Sequence, residues 1–429
     1  MERIGKYEIG RKIGEGATAT VYLGRDPFAR RDVAIKVFSP EVLKDEHNGR
    51  VYRHLLLNEA SLAGKLVHPH IVQIYDAVID ADLSYIVMEY VAGGTLEAFC
   101  LAGKLLPLER LVETIFKCTR ALDYAYRMGV THRDIKPANI LLAAAGHAGG
   151  DIKISDFGNA IQSANQSLTE VVGIGSPAYM SPQHLRDEAL DHRTDIWSLG
   201  VVMYQLLTGR LPFQVANNYA LIHQICNVDA PPPSTFRADV PPALDAVVAR
   251  AMQRDLSARY ATWEEFSHEL GQTFRSCRLA APRDDFGDSE KFEGLRALPF
   301  FREFSDAEIW EVVRFSRWDT VAADTVIMKD GAPGANFCFL FEGELAVAKR
   351  GRTLSVLAPG ECFGEMAVIG RHEHVRGADV IARTTAKVIT ISGVALRQAS
   401  EVCRMHFYEA FLDVLSARLA LANTWMASA

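Results

Sequence analysis

Residues 132–139 read HRDIKPAN, and three other short strings stand in order around it: VAIK at 33–36 before it, DFG at 156–158 and DIWSLG at 195–200 after it. VAIK lies in the strand-like run DVAIKVF, in a stretch to about residue 100 that also holds VYLG and YIVMEYV and one helix-like segment, RVYRHLLLNEASLAGKL, whose apolar residues recur at three and four. From about 107 to 275 the patterns lengthen and become helical, as in LERLVETIFKCTRALDYAYRMG and TDIWSLGVVMYQLLTG, each closed by Gly in the manner of a helix C-terminus. The pattern predicts a small, mostly β lobe followed by a mostly α lobe.

Further out, SCRLAAPRDDFGDSE at 276–290 is polar and irregular, the composition of a connector between cores. Short β-type runs spaced by Gly then return (TVIMKDG, FCFLFEGELAVAKR, LSVLAPG), and the chain closes on the helical EVCRMHFYEAFLDVLSARLALANTW. The expected division is 1–275, a linker at 276–290, and 291–429. A chain of 429 residues, 49% hydrophobic, is too long for one ordinary core, which agrees with two domains.

Net charge of -7 and a pI near 6.0 give no general attraction to nucleic acid or to an anionic membrane, so anion binding must come from local arrangement. The seven cysteines (Cys100, Cys118, Cys226, Cys277, Cys338, Cys362, Cys403) form no CxxC pair and no metal-ligand spacing. Neither a disulfide framework nor a zinc site is indicated, and a reducing cytosol fits. The N-terminal MERIGKYEIG has no apolar signal core, and IWSLGVVMYQLLTG is too short to span a bilayer, so a soluble cytoplasmic protein without membrane or nucleic-acid partners is expected.

The four strings, with the Gly14 and Gly16 hairpin of IGEGATATVYLGRD, resemble the eukaryotic-type (Hanks-type) serine/threonine protein kinase family over residues 7–275. The resemblance implies ATP and Mg2+ as cofactors and protein substrates as partners. Phosphoryl transfer asks a protein for positioning and charge neutralisation. In that light Lys36 would hold the α and β phosphates and Glu59 would be its ion-pair partner. Asp134 would accept the substrate hydroxyl proton, Lys136 would meet the γ phosphate, and Asn139 and Asp156 would supply oxygens to the metal. Ile13, Gly14, Glu15, Gly16, Val21 and Ala34 would cover the nucleotide, with Met88 at the gatekeeper position and the backbone of Glu89 and Val91 meeting adenine. The third glycine of the G-x-G-x-x-G pattern is Ala19 here.

Between Asp156 and Gln183 lies the implied activation segment. Ser163, Ser167 and Thr169 are phosphate acceptors able to pair with Arg133, Ser176 steadies the catalytic loop, and Glu170 stands where a phosphorylated threonine is common in bacterial relatives. Gln183, in SPQ, replaces the family's glutamate opposite Arg259, and an amide is a weaker partner for a guanidinium.

In the last third, residues 295–345 and PGECFGEMAVIG at 359–370 resemble the cyclic-nucleotide-binding domain of the catabolite activator protein family. The whole is then α+β: a two-lobed kinase fold followed by a small β-barrel (jelly-roll) with flanking helices. A cyclic nucleotide offers one phosphodiester charge and a ribose 2'-hydroxyl, and needs a fixed cation, backbone amides on a tight turn and a carboxylate. Arg376 would pair with the phosphate and Glu365 would accept from the hydroxyl, while Gly364, Met366, Ala367, Gly377 and Ala378 would bring backbone close. Gly377 in the position after the arginine leans towards cAMP over cGMP. Asp379, a carboxylate near the expected phosphate, opposes binding. His372 and His374 read as solvated loop residues, Tyr408 and Trp425 as candidate caps for the base, and helix 401–425 as the moving part. Two alternatives stay open: a constitutive kinase whose barrel docks proteins or forms a homodimer, and a nucleotide-binding pseudokinase scaffold.

Overall fold

The computed structural model describes residues 3–16, 18–45, 49–80, 83–143, 151–159, 161–162, 177–215, 217–278, 287–366 and 375–428. The chain divides into two compact units, Met1–Ala280 and Ala281–Ala429.

The first unit opens with β1 (Arg3–Ile4), β2 (Tyr7–Glu15), β3 (Ala19–Asp26) and β4 (Arg31–Phe38), then α1 (Pro40–Leu43), α2 (Gly49–Ser61), β5 (Ile74–Val78) and β6 (Ser84–Glu89). The six strands form one antiparallel sheet in the order β1-β2-β3-β4-β6-β5. Strand alternation divides its residues between two faces. Tyr7, Val33, Ile35, Tyr85 and Val87 pack on one. Ala19, Phe38 and Ile86 pack on the other against Leu56 of α2. Lys36 shares this second face with Phe38, which directs it towards α2 and not towards solvent.

The rest of the unit is mainly helical: α3 (Leu108–Arg127), the short β7 (Val130–Thr131), β8 (Ile140–Leu142), β9 (Ile152–Ile154) and β10 (Ile161–Gln162), then α4 (Pro182–Leu185), α5 (Arg193–Thr208), α6 (Asn218–Asn227), α7 (Pro242–Ala251) and α8 (Trp263–Arg278). Helix α5 is buried along almost its whole length, in keeping with apolar residues distributed all round it. It stops at Gly209, whose φ of +73 is left-handed and whose added Cβ would lie 2.4 Å from the Ala102 amide nitrogen.

The second unit comprises α9 (Asp288–Ala297), α10 (Asp306–Phe315), β11 (Ser316–Val321), β12 (Val326–Met328), β13 (Asn336–Glu342), β14 (Leu345–Lys349), β15 (Arg352–Leu357), β16 (Cys362–Phe363), β17 (Asp379–Ala382), β18 (Ala386–Ser392), α11 (Gly393–Gln398) and α12 (Glu401–Ser428). Its strands make two four-stranded antiparallel sheets, β11-β18-β13-β16 and β12-β17-β14-β15, whose facing residues, among them Leu340, Leu345, Val380 and Val388, form one core. Phe337 and Phe339 of β13 meet Phe300, Phe301, Phe304, Phe407 and Phe411 in an edge-to-face cluster that fastens the flanking helices to the sheet, each ring contributing on the order of 1.5–3 kcal/mol by burial.

Part of the stretch expected to be irregular is helical. Helix α8 runs on to Arg278, and α9 begins at Asp288. Asp288 and Glu290, read as connector polarity, occupy the first turn of α9, where acidic side chains oppose the positive end of the helix dipole. No described helix is long and apolar enough to cross a membrane.

Candidate active site and second-domain pocket

Register along the first sheet sets the cleft. Val21 pairs with Lys36 across β3 and β4, and Ala34 pairs with Met88 across β4 and β6. These residues therefore form one floor, beneath the β2–β3 hairpin in which Gly14 sits opposite Val21 and the Gly16 amide donates to the Ala19 carbonyl at 2.9 Å. Ile13 and Glu15 lie on β2 in the same hairpin, and Glu15 pairs with Lys12 at 2.5 Å. The Glu89 amide donates to the Gln73 carbonyl and is not on offer to a ligand. Its carboxylate pairs with Lys153 at 2.9 Å, an anchor that no string announced. Val91 follows β6 in the connection to the helical part.

Lys36 Nζ lies 2.9 Å from Glu59 Oε2 and 2.5 Å from Asp156 Oδ1. Three strings separated by up to 120 residues thus meet at one ammonium. Burial opposes the Lys36 charge, but the carboxylates of Asp156 and Glu59 outweigh it and hold its pKa above the ordinary lysine value. The two carboxylates are held differently: Lys36 draws Asp156 below the usual carboxylate range, while burial pushes Glu59 above it. Asp156 is therefore the carboxylate held ionised, the state that a hard cation requires of a ligand.

Facing this trio, Asp134 Oδ2 accepts from Lys136 Nζ at 2.7 Å. Asn139 Nδ2 donates to the Asp134 carbonyl at 2.8 Å and to its Oδ2 at 3.2 Å. With its NH2 so used, Asn139 presents Oδ1 as the other polar atom of the amide. Asp156 and Asn139 thus offer the carboxylate and amide oxygens that suit Mg2+; among the described residues no cluster of three His, Cys, Asp or Glu competes for such an ion.

The loop's shape comes from a residue to which the sequence reading gave no role. Asp195, buried at the start of α5, accepts from the His132 amide and the Arg133 amide, each at 2.7 Å. Burial raises the Asp195 pKa against the pull of these donors. The His132 ring lies 4.5 Å from the Phe157 ring, with its Nε2 3.0 Å from the Ser155 carbonyl. Arg133 and Asp156 both adopt left-handed backbone, φ +66 and +67, a strain that persists in non-glycine residues only where surrounding contacts over-determine it. Gathered polar partners of this kind, some 60 residues away in sequence, could be found only from the fold.

Two further expectations have structural outcomes. Arg259, almost fully buried, donates to Gln183 Oε1 at 3.0 Å and to the Gln253 and Arg193 carbonyls at 2.8 Å. Gln183 Nε2 in turn donates to the Arg254 carbonyl at 2.7 Å, so the amide substitutes for the family's glutamate with both of its ends engaged. Arg133 is half-buried, and its Nε and Nη1 are buried with no hydrogen-bond partner among the described residues. Ser163, Ser167, Thr169, Glu170 and Ser176 lie outside the described residues, as do Ala367, His372 and His374.

In the second unit the residues expected to share one ligand are divided. Arg376 Nη1 donates to the Gly364 carbonyl at 2.9 Å, and the side chain passes so close to Gly334 that a Cβ there would lie 2.1 Å from Nε. It borders a cavity of about 560 Å³ that Asn336, Cys338 and Thr390 also line. Burial lowers the Arg376 pKa, against the field of Glu365. Glu365 is only 3% exposed and does not border that cavity. Its Oε1 accepts from Arg418 Nη1 of α12 at 2.6 Å, and Arg418 also donates to the Cys362 carbonyl. Met366 is exposed, and the Gly377 carbonyl accepts from Lys349 Nζ at 2.7 Å, with Ala378 next to it, just before β17. Asp379 Oδ1 accepts from the Asp330 amide at 2.8 Å, a structural role for the carboxylate that seemed to oppose a phosphate. Tyr408 lies half exposed on α12.

Comparison with known proteins finds two family models along the chain. The family model described as protein kinase domain matches residues 7–270, and that described as cyclic nucleotide-binding domain matches residues 318–402. Over 301 residues the chain is 36% identical to the serine/threonine-protein kinase PknB of Mycolicibacterium smegmatis, covering 68% of this chain and 47% of that protein. It is 34% identical over 301 residues to the serine/threonine-protein kinase PrkC of Bacillus subtilis, covering 70% and 45%. It is 34% identical over 278 residues to the probable serine/threonine-protein kinase PknB of Bifidobacterium longum, covering 62% and 39%. The chain thus spans less than half the length of these relatives.

Proposed function

The chain belongs to the protein kinase family, and from that premise we propose that it transfers the γ-phosphoryl group of ATP to serine or threonine hydroxyls of proteins in a reducing cytosol. The observation that carries this reading is the meeting of Lys36, Glu59 and Asp156 at hydrogen-bond distance, opposite an Asp134 already oriented by Lys136 and Asn139. Asp134 accepts the hydroxyl proton as the oxygen attacks phosphorus; the bond to the ADP oxygen breaks as the new P–O bond forms. Lys36, kept cationic, draws on the phosphate oxygens, and Lys136 stands beside the reacting carboxylate to meet the transferred group. Asp156 and Asn139 would hold Mg2+, which would supply neutralisation of phosphate charge.

Arg133 supports activation-segment control, because a guanidinium with two buried nitrogens lacking described partners suits a phosphate or a carboxylate. Thr169 bearing phosphate and Glu170 as a permanent charge are the two sources. Mass spectrometry of active protein finding no phosphate on Ser163, Ser167 or Thr169 leaves Glu170.

The second domain is proposed to bind a cyclic mononucleotide, cAMP in preference to cGMP, through Arg376 and Glu365, and so to set the rate of transfer. Labelled phosphate incorporation with ATP and magnesium, at zero and saturating cAMP and then cGMP, tests both halves. A rate that shifts with cAMP in the wild type and not in Arg376→Ala is expected. Transfer indifferent to both nucleotides removes the sensor reading, and no transfer at all leaves a scaffold.

A second reading, pairing of two copies through the barrel's helix, has its own observation. Helix α12 is apolar on two faces: Cys403, Phe407 and Phe411 are buried, while Met405, Tyr408, Leu412 and Leu419 are exposed, and with Leu415 they follow alternate spacings of three and four. Sedimentation should give a dimer that Leu412→Glu dissociates.

A further inference from the structure

The carboxylate expected to receive a ribose hydroxyl is already taken. Glu365 is 3% exposed, and its Oε1 accepts from Arg418 Nη1 at 2.6 Å. Arg418 reaches it from α12, 53 residues further along the chain. The same guanidinium donates to the Cys362 carbonyl, just before the Gly364 turn, whose φ is +79. Both contacts come from one side chain, so α12 is fastened to the turn at 362–365 by Arg418. The Glu365 charge also acts on Arg376, raising its pKa against the effect of burial.

We propose that Arg418 is a latch: it closes α12 onto Glu365, competes with the ribose 2'-hydroxyl of a cyclic nucleotide for that carboxylate, and is released when the nucleotide binds. This inference rests on the cyclic-nucleotide reading of the second domain and names the contact that would couple it to the terminal helix. A buried carboxylate cannot be left unpaired, so the exchange requires that something else satisfy Glu365 as Arg418 departs. The hydroxyl donates to it directly, while the cyclic phosphate fixes Arg376 nearby. The sign is definite: ligand loosens α12. Such a ligand shifts the helix only through its differential affinity for the two arrangements, which here is its hydroxyl's bond to Glu365.

The test uses the full chain, with cAMP and 2'-deoxy-cAMP as probes. Calorimetry of wild type, Arg418→Ala and Arg418→Lys measures binding, and hydrogen exchange of peptides from α12 measures the latch. Removing Arg418 should tighten cAMP about tenfold, as expected for one lost competitor, and leave 2'-deoxy-cAMP unchanged. Arg418→Lys, which keeps the charge, should stay near wild type. Saturating cAMP should speed α12 exchange in the wild type, and Arg418→Ala should show fast exchange with no ligand. Weaker cAMP binding by Arg418→Ala, or cAMP bound with α12 exchange unchanged or slowed, overturns the latch alone. Failure of wild type and Arg418→Ala alike to bind cAMP overturns the sensor reading beneath it. If Arg418→Ala unfolds the second domain, Arg418→Gln, which keeps a donor, carries the same comparison.

Discussion

The two units treat their charged residues in opposite ways. In the first, the polar groups that chemistry needs are one another's partners: Lys36 binds Glu59 and Asp156, and Asn139 and Lys136 bind Asp134. In the second, the two groups expected to act together are each held by something else, Arg376 by the Gly364 carbonyl and Glu365 by Arg418. A site built from mutual partners stands ready for its substrate. A site whose members are engaged elsewhere must exchange partners to bind, which makes it suited to sensing. The difference therefore predicts that mutations in the cleft act on rate, and mutations in the barrel on affinity and on the helix.

The largest effect should come from Asp134→Asn. An amide keeps the shape but cannot take the hydroxyl proton, and loss of a positioned general base costs roughly 10²–10⁴ in rate. Labelled phosphate incorporation should fall by that factor while nucleotide binding by the second unit stays unchanged. An unaltered rate would mean that the mutual partnership at Asp134 serves structure alone.

Asp195→Asn should come next. Asp195 touches no reacting atom; it positions the loop by accepting from two backbone amides at 2.7 Å. An asparagine offers one oxygen and one NH2, so one buried amide is left facing a donor, at a cost of about 1–3 kcal/mol. Displacement of the loop by a fraction of an ångström should lower the rate by about 10- to 100-fold. A purely structural residue would lower the melting temperature without that loss. The pH dependence separates the two further. Burial holds the Asp195 pKa above the ordinary 3.8, so the folded form binds this proton more readily than the unfolded one. That contribution is complete below the unfolded value and is lost as pH rises through the folded one. The variant should lack this decline when melting temperature is followed upwards from pH 4.

These two variants also mark the boundary of what the sequence discloses. Lys36, Asp134, Asn139 and Asp156 were legible because each string carries both the residue and the backbone that places it. Asp195 lay in a quoted string, yet its role depends on two amides far away in the chain, and amides have no sequence signature. Arg418 was further from sight: it stands in a helix whose pattern reports packing, and its partner is fixed only when the barrel closes. The sheets of the second unit followed from short Gly-spaced runs, whereas the start of α9 did not, because acidic residues read equally as connector or as helix start.

In the barrel, Gly334→Ala should weaken cyclic-nucleotide binding by about tenfold, one lost charge-assisted contact. The new Cβ would lie 2.1 Å from Arg376 Nε, so the guanidinium must leave its place beside the Gly364 carbonyl. No left-handed backbone is involved at this glycine, which makes the effect one of displacement and not of strain. Calorimetry should show the loss for cAMP and 2'-deoxy-cAMP equally, since the phosphate contact is common to both. A loss confined to cAMP would place the damage at Glu365 instead and would blur the division between the two residues.

The smallest effect belongs to Gln183→Glu, and its sign is set by two opposing changes. Burial pulls the Arg259 guanidinium down to about 10, and its three acceptors are an amide oxygen and two carbonyls. The bond from the guanidinium to the amide oxygen is already charge-assisted on its donor side, and a glutamate would make the acceptor ionised too, strengthening it by about 1 kcal/mol. It would also lose the Gln183 Nε2 donation to the Arg254 carbonyl at 2.7 Å and bring two oxygens together there. The gain at Arg259 exceeds the loss only narrowly, so a net stabilisation of about 1 kcal/mol or less is expected, or roughly 2–4 °C in melting temperature for a unit of this size. A fall in melting temperature would show that the Arg254 carbonyl, and not Arg259, decides what stands at position 183. In that case the amide is the residue that this packing requires, and the first unit, too, contains a place where one group serves two partners outside its own string.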